Sequence, residues 1–175
     1  MNMHAEAPLD AATIAGLEGS SGACASLIGA AMTDSPEVIV AKIDAFVFAW
    51  QSGNRPSKKV VTAEDAPFIL GSLWGQQLVR AFNWEWRMVT FHDHGDTMAP
   101  GVLSSNRALA VYPIHFIMGC LADSNVDATI MLSYNMLKDG VGGDAPAGEF
   151  MNLMEGVHRI VPRIAEKPWW KRLFG

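Results

Sequence analysis

The apolar residues change their spacing around Asn83, and that change does most to limit what this chain can fold into. In "TAEDAPFILGSLWGQQLVRAFN", Ile69, Leu70, Leu73, Trp74, Leu78 and Phe82 recur three or four apart and form one face of a helix. In "WEWRMVTFH", which follows at once, aromatic and β-branched residues take over. Trp84, Trp86 and Met88 then recur at every second position, as in a strand. Val89 and Phe91 fall on the opposite side of that strand, which predicts either a bulge or a strand covered on both faces.

The neighbouring segments extend this pattern. "DHGD" reads as a turn, with return strands near Met98–Leu103 and Ala108–Tyr112 on either side of "SSNR". Together these predict an antiparallel meander flanked by helices. One helix is expected to start at Ser35, a capping residue followed by Pro36 in the first turn and Glu37 near the positive end of the dipole. Its apolar stripe is Ile39, Ile43, Phe46, Val47 and Trp50, and Gly53 ends it. In the helix after it, Pro67 belongs to the first turn, so the start lies near Asp65. Gly71 and Gly75 share a face there. Each costs about 1 kcal/mol of helix stability against alanine, which predicts close approach of another backbone.

"PIHFIMGCLAD" opens on a proline that suits a helix start. "ATIMLSYNMLKDG" fits a strand or a helix, with the helix favoured, and Gly140 ends either. Phe150, Leu153, Met154, Val157, Ile160 and Val161 predict an amphipathic helix ending near Pro162. The expected organisation is a single α+β domain over residues 36–164, a small antiparallel sheet packed against several helices. An Ala/Gly/Ser-rich segment, 1–35, would be weakly structured or helical, and an aromatic-basic tail would occupy 165–175.

With 175 residues, half of them hydrophobic and 18% charged, the chain can bury a core without staples. A formal net charge of -5 provides no basic face for phosphates, so nucleic acid is not an expected partner. Cys24 and Cys120 form no CxxC pair and read as reduced, buried thiols. The opening "MNMHAEAPLD" has no basic start, and "ACASLIGAAM" is too short to span a bilayer, so a cytoplasmic setting is expected.

Candidate chemistry centres on "TFHDHGD". On an extended strand His92 and His94 share a face, and Asp96 or His115 would supply a third metal ligand. Gly95, however, sits where a hairpin must reverse and turns Asp96 away, so the stretch reads chiefly as a hairpin tip. "EGVH", Glu155 to His158, is one Glu-x-x-His motif where a di-iron bundle needs two. "GSLWG" lacks the central serine of a nucleophile elbow. "DGVGGD" lacks the lysine of a phosphate loop. No catalytic residue and no cofactor is nominated. In the tail "KPWWKRLFG", Trp169, Trp170 and Phe174 alternate with Lys171 and Arg172. Such a segment suits docking in a protein groove, packing back on its own chain, or a marginal membrane contact.

The stretch "LGSLWGQQLVRAFNWEWRMV", the Asp93–Gly95 turn and the strand entering "VYPIHF" together resemble a bacterial domain-of-unknown-function family, number 3806. The resemblance covers Ala66 to Leu121. It departs at Gly119 and Cys120, where a basic residue is expected. It implies an α+β fold and no particular reaction, since that family has no established activity. The leading expectation is therefore a non-enzymatic cytoplasmic protein-interaction module, of which a toxin-neutralising immunity protein is one form. The alternative is a small-molecule or metal-dependent enzyme using His92, His94 and His115.

Overall fold

The computed structural model describes residues 4–54 and 61–155. In chain order the elements are β1 (His4–Pro8), α1 (Ala11–Leu27), α2 (Pro36–Gln51), α3 (Ala66–Phe82), β2 (Glu85–Phe91) and a 3-10 turn (His92–His94). They continue with β3 (Thr97–Leu103), β4 (Leu109–Val111), α4 (Pro113–Ala122), α5 (Ile130–Lys138) and β5 (Met151–Asn152). The strands form one sheet in the order β1-β2-β3-β4-β5, antiparallel except for the β4–β5 pair. The fold is α+β, as the change of apolar spacing predicts.

The local reasons are legible. Ser35 accepts a hydrogen bond from the Val38 N–H and caps α2, with Pro36 and Glu37 behind it. Asn83 ends α3 with φ 57°, a left-handed conformation that a short polar side chain tolerates, and β2 starts two residues later. α5 is helical, so the ambiguous stretch resolves in the expected direction. No side chain of its own caps it. The Asp44 carboxylate reaches from α2 and accepts the Met131 N–H at 3.0 Å.

α3 lies at the centre, against α1, α2, α4, β2 and β3. A Cβ on Gly71 would sit 2.6 Å from the Ile114 Cα, so this glycine does admit the backbone of α4. A Cβ on Gly75 would sit 2.1 Å from the Trp86 ring, so there the approach is by a side chain instead. β2 pairs without a bulge and carries apolar residues on both faces. Trp86 faces the helices with Val102 and Val111, while Val89 joins Ala99, Leu103, Ala110 and Tyr112 on the other side.

Two differences stand out. The Ala/Gly/Ser-rich start takes the helical one of its two expected forms in α1, with Leu17, Ser21, Cys24 and Ala25 buried. It also provides β1, an edge strand that no apolar alternation announces. The helical spacing of Phe150, Leu153 and Met154 does not produce a helix through Glu155. β4 has a free edge, and the Met151 and Leu153 N–H groups donate to Ala108 and Ala110 carbonyls at 2.9 Å, drawing this stretch into the sheet. The rest of that proposed helix lies outside the described residues.

Two outcomes test this packing. Gly71→Ala gains about 1 kcal/mol of helix propensity but loses about 1–3 kcal/mol to overpacking, so it should lower Tm. Gly16→Ala in α1, with nothing within 4 Å of the added carbon, should raise it. Equal shifts in calorimetry would refute the backbone contact. Asp44 provides the second test. Burial raises its carboxyl above the ordinary 3.8, with the Met131 and Ile130 N–H groups pulling it back. A raised folded-state pKa means that ionisation opposes folding, so stability is fullest below the unfolded value and declines as pH rises through the folded one. Asp44→Asn should therefore gain on the wild type between pH 3 and pH 7. A Tm difference flat across that range would contradict this.

Candidate functional site

Helices cover one face of the sheet. The other face, and the end where β1 and β3 start and β2 stops, carries a groove of about 780 Å³. Five elements build its wall: His4 on β1, Phe91 on β2, Ala99 on β3, Tyr112 and His115 at the start of α4, and Phe150 ahead of β5. Their rings form one cluster. Phe91 lies 5.3 Å from His4 and 5.2 Å from Tyr112, and His4 stacks on Phe150 at 5.7 Å. Tyr112 can lie flat on the sheet because the residue beneath it is Gly101, where a Cβ would meet its Cε1 at 2.8 Å.

The backbone is strained to make this wall. Phe150 adopts φ 53°, a conformation costing roughly 1–2 kcal/mol for an L-residue with a Cβ. It is held there by its N–H bond to the Arg107 carbonyl at 2.9 Å, next to a Gly148 N–H bond to the Asn106 carbonyl at 3.0 Å. Across the groove Gly95 and Asp96 turn the β2–β3 hairpin at φ 68° and 60°.

The electrostatics have two parts. The rim is acidic, with Asp93, Glu149 and Glu155 among the lining residues. Inside, Tyr112 is only 8% exposed, and among the described residues its buried hydroxyl has no hydrogen-bond partner. Burial pushes its phenol up to about 12. Outside the groove, the same face of the sheet carries a four-member ion network. Arg107 bonds Glu6 at 2.8 Å and Glu85 at 3.2 Å, and Arg87 bonds Glu85 at 2.6 Å and approaches Glu6 at 3.5 Å. It ties β1 to β2 and to the turn before β4. The Arg87 and Arg107 guanidinium groups hold the Glu85 carboxyl below its usual range.

The residues singled out in the sequence are distributed unevenly around this geometry. His92 lies in the 3-10 turn, where its Nδ1 meets the Asp96 carboxylate at 2.6 Å. His94 and His115 both line the groove, with Asp93 3.6 Å from the His94 ring. The turn breaks the extended geometry that would have put His92 and His94 on one face. Among the described residues no group of three or more His, Cys, Asp or Glu is arranged to hold a metal. Cys24 and Cys120 are free and buried, and burial pushes both thiols up to about 12. His158 and the tail residues Trp169, Trp170, Lys171, Arg172 and Phe174 lie outside the described residues. Tyr112, Phe91 and Phe150 were missed as a group. The only signals were a Tyr-Pro step and two isolated aromatics.

No family model, no curated protein and no solved structure matches this chain. Among the described residues no helix is long and apolar enough to cross a membrane.

Removing the Tyr112 hydroxyl tests the polar accounting inside the groove. A buried, unbonded phenol costs about 1–3 kcal/mol, so Tyr112→Phe should melt at or above the wild-type temperature. A loss of stability would mean that the hydroxyl has a partner.

Proposed function

We propose that this chain is a non-enzymatic protein-interaction module whose groove takes a segment of a partner presenting aromatic and basic side chains. The observation that carries the reading is the groove on the sheet face that presents Phe91, Ala99 and Tyr112. It combines a wall of aromatic rings with an acidic rim of Asp93, Glu149 and Glu155. Aromatic side chains bury large areas at low entropic cost, which makes such walls effective anchors. The rim charges add steering and partner choice, because Lys and Arg approach them favourably and acidic segments do not. A toxin-neutralising immunity protein is one form of such a module, with the groove clasping a toxin segment. A cytoplasmic setting accords with two free, buried thiols.

A displayed library of random peptides, panned on the full chain, tests this reading. Selection should enrich aromatic residues beside Lys or Arg, and Asp93→Arg/Glu149→Arg should abolish binding while leaving Tm unchanged, since both residues are exposed. Peptides with no common pattern, or binding that survives the charge reversal, would refute it.

One observation favours a second reading, a small-molecule or metal-dependent enzyme: His94 and His115 share the groove with Tyr112. Stoichiometric zinc in untagged protein, lost in His94→Ala/His115→Ala, would put that reading first.

A further inference from the structure

The groove ends where the described chain ends, because Glu155 forms part of its lining. Twenty residues follow, 156–175, and their composition is unlike that of the rest. They carry five basic side chains, Arg159, Arg163, Lys167, Lys171 and Arg172, against the single acid Glu166, a net of +4. With -5 for the whole chain, the first 155 residues carry -9. The same stretch holds Trp169, Trp170, Leu173 and Phe174. It therefore has the aromatic and basic chemistry that the groove and its rim select. We infer that the resting occupant of the groove is the chain's own segment Lys167–Phe174, which a partner must displace to bind. The inference rests on the interaction-module reading and names how that site is regulated.

Reach does not limit this arrangement. Trp169 lies 14 positions beyond Glu155, and an extended chain spans about 3.3–3.6 Å per residue, so roughly 45–50 Å is available. The groove's volume of about 780 Å³ corresponds to a far shorter span. A tether this short gives an effective concentration in the mM range, so even a weak docking contact would be substantially occupied. Charge reinforces the choice of occupant. A segment of +3, from Lys167, Lys171 and Arg172, tethered beside Asp93, Glu149 and Glu155 is attracted to them, and more strongly at low salt.

The consequence is competition. A partner segment of the same chemistry sees only the fraction of grooves that the tail leaves open, and its apparent affinity falls by that fraction.

The test uses the full-length chain and a labelled synthetic peptide of residues 167–175, KPWWKRLFG. Trp169→Ala/Trp170→Ala/Phe174→Ala should bind this peptide on the order of tenfold more tightly than the wild type does. Adding Asp93→Arg/Glu149→Arg should remove that binding. Matching Tm values and circular dichroism spectra would show that all variants are folded. Equal binding of the peptide by wild type and triple variant overturns the inference but leaves the interaction-module reading standing. The same holds if KPWWKRLFG fails to bind while library-selected peptides do. Failure of every peptide on both chains overturns both. Wild-type dimerisation in sedimentation, lost in the triple variant, would reassign the tail to the groove of a second copy and overturn the intramolecular form.

Discussion

The rest of the structure depends on how closely α3 approaches its neighbours. Gly71 and Gly75 leave two notches on one face, and the Ile114 backbone fills the first while the Trp86 ring fills the second. Each glycine weakens the isolated helix by about 1 kcal/mol, and the packed domain recovers more than that. Trp74, fully buried between them, stacks edge-on against Phe116 of α4 at 5.5 Å and extends the same contact. Because α4 is clamped against α3 at Ile114, its first turn has a fixed position over the end of the sheet. Tyr112 and His115 are fixed with it, so the wall of the groove is a consequence of helix packing on the opposite face.

A sheet with helices on one side leaves its other side to be managed by other means. Here two means divide the surface. Towards the β3–β4 turn, Glu6, Glu85, Arg87 and Arg107 form alternating ion pairs that keep the face polar and hold β1 in place. Partly exposed pairs of this kind add little individually, and their value lies in linking β1, β2 and the turn before β4 at once. Towards the hairpin tip, charge gives way to rings, and Phe91 and Phe150 remain partly open to the groove beside the buried Tyr112. β1 also protects the sheet's edge, since it is short and carries Pro8, which offers no N–H to a further strand.

How much of this was legible follows from the range of each interaction. α2 and α3 were legible because caps, prolines and apolar spacing act over a few residues, as Ser35 and Pro67 show. The β2–β3 hairpin was legible because Gly95 marks its reversal. β1 was not, because "HAEAP" has no apolar alternation and becomes a strand only by pairing with β2, some eighty residues away. The stretch 150–155 was misread for the complementary reason. Its helical spacing is real, but β4's unpaired edge decides where its N–H groups go. The candidate site was legible only in fragments. His94 and His115 were singled out for metal chemistry, and both line a groove whose character comes from rings and carboxylates contributed by separate elements.

Phe150 connects the strain of that corner with its use. A bulky aromatic at φ 53° is uncommon, since its Cβ crowds its own backbone and a glycine would serve the turn at no steric cost. Gly148, two residues earlier at φ 79°, does just that. Were reversal of the chain the only requirement, glycine would suit position 150 equally well. The residue present instead brings a ring that stacks on His4 and lines the groove, while the Phe150 N–H remains committed to the Arg107 carbonyl. Arg107 is itself left-handed, at φ 59°, and anchors the ion network. Two strained residues joined by one hydrogen bond thus couple the charged half of the open face to its aromatic half.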